Sequence, residues 1–160
     1  LLFVGDGPAR SLLEQQTVAR GLTDAVQFLG YLPRRQLPQI YGCADVFTFP
    51  STTETQGLVT IEAMLCGAPV VAIGKMGTRE VMNGDNGGFM VPEDCNLFAQ
   101  RVLELLLDRQ LWKRKSQEAV EYAQQWTAPV LAKKLTAVYQ HLSSGKYRLH
   151  KMDSLSIVYP

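Results

Sequence analysis

Short apolar segments that alternate with longer amphipathic stretches set the strongest limit on how this chain can fold. Each apolar segment reads as a strand, because it is short, rich in Val, Ile, Leu or Phe and bounded by turn residues. The candidate strands are residues 1–4, 25–29, 44–49, 69–73 and 88–91. Such β-α alternation predicts an α/β fold with a parallel sheet and helices on both of its faces. From Cys95 onward the pattern is purely helical.

Loops rich in Gly, Pro, Ser and Thr follow these strands, with the sequences GDGP, LGYLP, FPSTTE and IGKMG. In open parallel sheets the carboxyl ends of the strands form the crevice where ligands bind, so we expect the ligand site at these loops. GDGP favours a simple turn, because the third glycine of a GxGxxG phosphate loop is absent. For IGKMG a simple loop and a contribution of Lys75, or of the Gly77 and Thr78 amides, to the crevice stay equally open.

The third loop leads into a helix that offers an anion site. The segment GLVTIEAML predicts a helix that ends at Gly67, with Pro69 just beyond as a stop. The first amides of this helix, at about Gly57 to Val59, have no intrahelical acceptors and carry the positive end of the helix dipole, so they can hold a phosphate. Gly57 would let a ligand approach the backbone closely.

Two glutamates flank this helix start. Glu54 lies in the loop, where like charge makes it a poor neighbour for phosphate and a better acceptor for hydroxyl groups. Glu62 lies one turn into the helix on the side of Leu58, near the crevice, and is a second acceptor for hydroxyls. The pattern predicts a diphosphate between two polyols, which is the layout of a nucleotide sugar. On spacing alone, a loop acid and a solvated helix residue are the commoner interpretation.

Charge, cysteines and histidines exclude several classes of function. Sixteen basic and fifteen acidic residues leave a net charge of +1, so no overall field recruits nucleic acid or an anionic membrane. Three cysteines without CxxC spacing favour neither disulfides nor a zinc site and fit a reducing cytosol. No apolar run approaches the roughly 20 residues that span a bilayer. An Asp-x-Asp triplet is absent and neither His141 nor His150 lies near the predicted crevice, which disfavours metal-dependent transfer and Ser-His-Asp chemistry.

Glu54 and Glu62 enclose seven residues, and this spacing resembles the EX7E motif of the retaining glycosyltransferases of family 4, the glycosyl transferases group 1. The segments GDGP, VQFLGYLPRRQLPQIYGCADVFTFPS, GLVTIEAMLCGAPVVA and GDNGGFMVPEDCNLFAQRVLELL resemble the same family in the same order. The resemblance covers residues 1–142 and leaves 143–160 as a tail. It implies a Rossmann-like domain, the C-terminal half of a GT-B fold, that lacks its first strand-helix unit. The chain starts on LLFVG without Met, which predicts a fragment.

The resemblance also implies roles for individual residues. Glu54 would bind hydroxyls of the donor sugar as the catalytic-site glutamate, and Glu62 would bind the ribose hydroxyls. The main-chain groups expected at the donor are those of Gln56, Gly57, Leu58 and Val59 at the distal phosphate and sugar, and those of Gly30, Tyr31 and Leu32 at the base. The family's Arg/Lys pair that grips the pyrophosphate would precede Leu1.

The implied reaction is transfer of a hexose from a nucleotide sugar, with a UDP-sugar such as UDP-glucose favoured, with retention of configuration and without metal or cofactor. The segment TETQGLV resembles members that glycosylate membrane lipids. It therefore implies a lipid acceptor, an acceptor-binding N-terminal domain of the same protein, and a cytoplasmic enzyme peripheral to the membrane. Two alternatives stay open: a noncatalytic nucleotide-sugar-binding or partner-binding module, and another GT-B enzyme such as a sugar-nucleotide epimerase.

Two further segments have structural interpretations. LWKRK around Trp112 is favoured as a solvated helix face over a membrane contact. Met64 and Cys66 are predicted to pack in the core.

Overall fold

The computed structural model describes residues 1–143. The strands are β1 (Leu2–Val4), β2 (Gln27–Gly30), β3 (Phe47–Phe49), β4 (Val70–Ile73) and β5 (Gly88–Val91). The helices are α1 (Arg10–Ala19), α2 (Leu37–Cys43), α3 (Leu58–Leu65), α4 (Met76–Met82), α5 (Cys95–Leu107), α6 (Arg109–Ala123) and α7 (Ala128–Ser143), with 3₁₀ turns at Arg34–Gln36 and Gln124–Trp126. Ser143 ends α7, so the rest of the predicted tail, 144–160, lies outside the described residues.

Each predicted strand is confirmed, with shifts at the ends. The largest shift is at β3, which begins at Phe47 although the sequence predicts a start at Ala44. The difference arises because α2 continues to Cys43, and the Ala44 amide donates to the Tyr41 carbonyl at 3.1 Å as part of the helix end.

The strand pairs among residues 1–143 are all parallel, as predicted, but they form two sheets. β1 pairs with β2, and β3, β4 and β5 pair in that order. Among residues 1–143 no ladder joins the two sets. The central strand of the larger sheet is β4, whose four residues are all buried, in keeping with the continuous apolar run VVAI. The loops that follow the strands of this sheet are therefore attached to a buried strand and its neighbours.

The core lies on both faces of β4. Val70 and Ala72 point to a cluster formed with α3, α4 and α6, which includes the fully buried Met64. Val71 points to the opposite side, where Leu105 of α5 packs. The prediction of helices on both faces is therefore confirmed for this sheet, and so is the core position of Met64. Cys66, by contrast, is only partly buried.

The segment LWKRK anchors α6 rather than forming a uniformly solvated face. The indole Nε1 of Trp112 donates to the Asp45 carbonyl at 2.6 Å. Lys115 is buried, and its Nζ donates to the Asp85 carbonyl at 2.6 Å. Only Lys113 and Arg114 fit the predicted exposed face. The periodicity missed these contacts because both acceptors are backbone carbonyls far away along the chain.

The end of α3 is attached to α6 by one side chain. The Ser116 hydroxyl donates to the Gly67 carbonyl at 2.7 Å, just beyond the last turn of α3. Because an alanine would leave this partly buried carbonyl without its donor, we expect Ser116→Ala to lower the free energy of unfolding by about 0.5–1.5 kcal/mol. Denaturant titration measures this, with the exposed Ser11→Ala as the control. Equal stability of the two variants would contradict the anchoring role.

Helix α7 is amphipathic, but its apolar stripe is uncovered within residues 1–143. Its exposed apolar side chains are Leu131, Leu135, Val138, Tyr139 and Leu142. Their spacing places them on one helix face. No helix in the described part of the chain has both the length and the apolarity to cross a bilayer.

Candidate functional site

The loops that follow β3 and β4 meet at the carboxyl ends of the strands of the larger sheet. The Gly77 amide, in the first turn of α4, donates to the Glu54 carbonyl at 3.0 Å. A Cβ atom on Gly77 would lie 2.3 Å from the carbonyl carbon and oxygen of Thr55, so only glycine permits this contact. The Gly77 amide is therefore bonded within the protein, and a contribution of IGKMG to a ligand site stays a prediction. Lys75 instead forms an ion pair with Glu93.

Gly57 is required at the start of α3 for two structural reasons. Its φ is 67°, in the left-handed region that glycine adopts without strain. A Cβ atom there would lie 3.0 Å from the Gly77 carbonyl oxygen and from the Thr78 Cα atom. The close approach seen at Gly57 is thus between two protein backbones, whereas the sequence suggested an approach by a ligand.

The Glu54 carboxylate lies on the amides at the start of α3. Its Oε1 atom accepts from the Gln56 amide at 2.9 Å and from the Gly57 amide at 3.1 Å. These two bonds lower the pKa of Glu54. The sequence predicts Glu54 as an acceptor for hydroxyl groups, and in this structure its carboxylate occupies two of the four expected amides. The Leu58 and Val59 amides, as the first of the helix, still lack intrahelical acceptors.

This geometry predicts the acid titration of Glu54. Since amide donors favour the charged form, we expect its midpoint below the ordinary value of 4.5. The Glu54 carboxylate therefore stabilises the folded state at pH values above 4.5. This stabilisation is lost as the pH falls through the lower pKa that Glu54 has in the folded state. Carboxyl-carbon NMR measures the midpoint, and the signal that disappears in Glu54→Gln identifies it. A midpoint at or above 4.5 would show that the carboxylate does not hold these amides.

Glu62 faces the gap between α2 and α3. Its Oε1 atom accepts from Nη2 of Arg34 at 3.1 Å, and its Oε2 atom accepts from the Tyr41 hydroxyl at 3.5 Å. The Glu62 side chain is 35% exposed. Burial, followed by the negative charge of Glu62, raises the pKa of Tyr41. Arg34 and Tyr41 were not among the residues predicted from the sequence, although the basic pair directly after LGYLP was an available signal.

A cavity of about 300 Å³ lies beside the Glu62 carboxylate. It is lined by Arg34, Leu37, Pro38, Tyr41, Glu62, Leu65 and Cys66. Its walls are mainly apolar, and Glu62 is the carboxylate on them. Burial, followed by the negative charge of Glu62, raises the pKa of the Cys66 thiol. A wider groove of about 750 Å³ lies between α5 and α6, and neither Glu54 nor Glu62 lines it.

The segment predicted to meet a nucleotide base lies next to this cavity. Gly30 ends β2, and its carbonyl accepts from the Gly5 amide at 2.8 Å. Tyr31 is 84% exposed and Leu32 is half-buried. Arg34, two residues further on, reaches Glu62. Arg34 is thus the link between this segment and Glu62, and Gly30, Tyr31 and Leu32 do not line the cavity themselves.

Other predicted features of the site are more limited. GDGP forms a turn, as predicted, in which an Asp6 oxygen accepts from the Gly7 amide at 2.8 Å. His141 lies in the last turn of α7, and His150 lies outside the described residues. Within residues 1–143, no group of three or more His, Cys, Asp or Glu side chains is arranged to hold a metal ion.

Comparison with known proteins gives a consistent result. The family model described as glycosyl transferases group 1 matches residues 1–108. The chain is 32% identical over 130 residues to a D-inositol 3-phosphate glycosyltransferase of Corynebacterium efficiens, a match that covers 81% of this chain and 31% of the relative. The chain thus spans about a third of that relative's length.

Solved structures share the fold. The Anabaena protein Alr3699/HepE, in complex with UDP-glucose, matches with a TM-score of 0.75 and 31% identity, over 89% of this chain and 40% of that protein. The C-terminal domain of a glycosyl transferase group 1 family protein from Francisella tularensis matches with a TM-score of 0.66 and 24% identity, over 72% of this chain and 60% of that domain. The predicted Rossmann-like α/β fold is confirmed.

Proposed function

The chain belongs to the family of glycosyl transferases group 1, and from this premise we propose that it is the donor-binding half of a glycosyltransferase that uses a UDP-sugar. The observation that carries the proposal is the placement of Glu54 and Glu62 on either side of the first turn of α3, at the carboxyl ends of the strands of the larger sheet. The likeness to Alr3699/HepE, whose structure contains UDP-glucose, supports the choice of donor.

In the proposed complex the diphosphate lies at the Leu58 and Val59 amides, between the two glutamates. Helix-start amides bind anions without a metal ion, which makes a metal-free mechanism feasible here. Glu62 accepts hydrogen bonds from the ribose, and the base follows the main chain of Gly30, Tyr31 and Leu32. Glu54 turns from its amides to the hydroxyls of the sugar, so that the Gln56 and Gly57 amides become free for the phosphate.

The remaining steps concern the acceptor. We propose transfer of a hexose with retention of configuration to a membrane lipid, with the acceptor held by a further domain. The uncovered apolar stripe on α7 supports a further domain, because such a face is normally packed against another element. The short coverage of relatives supports it as well, since the chain matches 31% of the Corynebacterium enzyme.

A donor titration tests the proposal and separates the two glutamates. We expect the chain to bind UDP, and UDP-glucose more tightly. Glu54→Gln should not weaken UDP binding, because it removes a charge that competes with the phosphate for the Gln56 and Gly57 amides. It should reduce the extra affinity for UDP-glucose by about threefold to tenfold, because it weakens hydrogen bonds to the sugar. Glutamine keeps an acceptor oxygen for the Gln56 and Gly57 amides, so the loop is retained. Isothermal titration calorimetry measures both ligands.

The control for this titration is Glu121→Gln, which makes the same charge change on the exposed side of α6. Equal losses for UDP and UDP-glucose in Glu54→Gln would refute the assignment of Glu54 to the sugar. Absence of binding to either ligand in the unmodified chain would refute the proposed donor.

A further inference from the structure

Arg34 and Tyr41 surround the Glu62 carboxylate from two sides. Arg34 lies on the 3₁₀ turn after β2 and approaches Oε1, whereas Tyr41 lies on α2 and approaches Oε2. Each carboxylate oxygen therefore has one donor from the protein. Because a carboxylate oxygen offers two lone pairs, each oxygen retains one further acceptor site. Two adjacent free acceptor sites match the two hydroxyl donors of a ribose cis-diol.

The two donors differ in rigidity. Tyr41 is half-buried and packs edge-on against Phe47, with ring centroids 5.4 Å apart and an interplanar angle of 90°. The Arg34 side chain is 89% exposed, so its ion pair contributes little to folding stability. The packed ring of Tyr41 thus holds its hydroxyl in place beside Oε2, and Arg34 bonds to Oε1 from the other side. Without these donors the Glu62 side chain would be free to rotate about its torsions.

We propose that Arg34 and Tyr41 are positioning residues, which hold the Glu62 carboxylate in the orientation that receives the ribose cis-diol of the nucleotide. The inference rests on the proposed function, because it takes Glu62 as the ribose acceptor. It also makes these residues determinants of specificity. They should raise the affinity for ligands that carry the ribose hydroxyls and leave the affinity for ligands without them unchanged.

The test pairs protein variants with ligand variants. The ligands are UDP and 2′,3′-dideoxy-UDP, which lacks both ribose hydroxyls. We expect Arg34→Ala to weaken UDP binding by about threefold to tenfold, as for loss of one hydrogen bond. Tyr41→Phe should weaken it less, because the Tyr41 hydroxyl lies at a long 3.5 Å from Oε2. Neither variant should change the affinity for dideoxy-UDP. In a Glu62→Ala background, Arg34→Ala should cause no further loss for UDP.

Arg35→Ala is the matched control, since it removes the same charge from the same turn and Arg35 forms no ion pair with Glu62. Equal losses in Arg34→Ala and Arg35→Ala would overturn the inference in favour of general charge attraction. A loss in Arg34→Ala that persists with dideoxy-UDP would overturn it in favour of a direct contact elsewhere on the nucleotide. Thermal unfolding should be unchanged in Arg34→Ala, which separates positioning from a structural role.

The outcomes also separate this inference from the proposed function. If Glu62→Ala weakens UDP binding but Arg34→Ala and Tyr41→Phe do not, positioning is refuted and the ribose assignment stands. If Glu62→Ala has no effect, the ribose assignment itself fails, and the inference fails with it.

Discussion

Glu62→Ala is expected to weaken UDP binding by about tenfold to a hundredfold. The physical reason is that the variant removes a charged acceptor of two ribose hydroxyls, and hydrogen bonds to a charged group contribute roughly 1.5–3 kcal/mol. The loss should be nearly the same for UDP and UDP-glucose, since both carry the same ribose. Calorimetric titration of both ligands against the variant measures it.

The folded state of the variant needs a separate check, because Glu62 also accepts from Arg34 and Tyr41. Circular dichroism and thermal unfolding should show a retained fold, since the ion pair with the exposed Arg34 is worth about 0–1 kcal/mol. Glu121→Ala serves as the control for loss of one carboxylate from an exposed helix position. Undiminished affinity in a folded Glu62→Ala chain would remove the ribose assignment.

The sequence predicted strand positions well because local chemistry determines them. Each candidate strand is a short apolar run followed by Gly or Pro, and the buried run Val70–Ile73 is the clearest case. How strands pair depends on distant segments. The alternation predicted one parallel sheet, whereas the described residues form two sheets. β1 pairs only with β2, and β3 pairs only with β4, within residues 1–143. No local signal in residues 1–4 or 44–49 carries that information.

Functional residues followed the same division. The positions of Glu54 in a loop and Glu62 on a helix were predictable, because the stop at Gly67 and Pro69 defines the helix. The neighbours of Glu62 were not predictable, since Arg34 and Tyr41 are 28 and 21 residues away along the chain. Such tertiary contacts arise from the packing of α2 on α3, which periodicity does not specify.

The contact between Glu54 and the amides at the start of α3 could not be predicted from charge alone. Repulsion between Glu54 and a phosphate concerns only the ligand-bound state. Without a ligand, amides at a helix start are unsatisfied donors, and a nearby carboxylate is a suitable acceptor. Two residues of loop let Glu54 reach the Gln56 amide at 2.9 Å. An acid beside an anion site can therefore occupy it until the donor arrives.

The 160 residues alone are expected to bind donor and to transfer no sugar. Transfer needs an acceptor hydroxyl held against the anomeric carbon, and such positioning accounts for about 7–11 kcal/mol of the barrier in favourable cases. The described residues provide two candidate donor-binding glutamates and helix-start amides, and the chain matches only 31% of the Corynebacterium relative. Incubation with radiolabelled UDP-glucose and lipid acceptors, beside a sample without protein, measures transfer. Product formed by these 160 residues above that blank would show that acceptor binding and catalysis lie within this chain, and the proposed division into donor and acceptor halves would then be wrong.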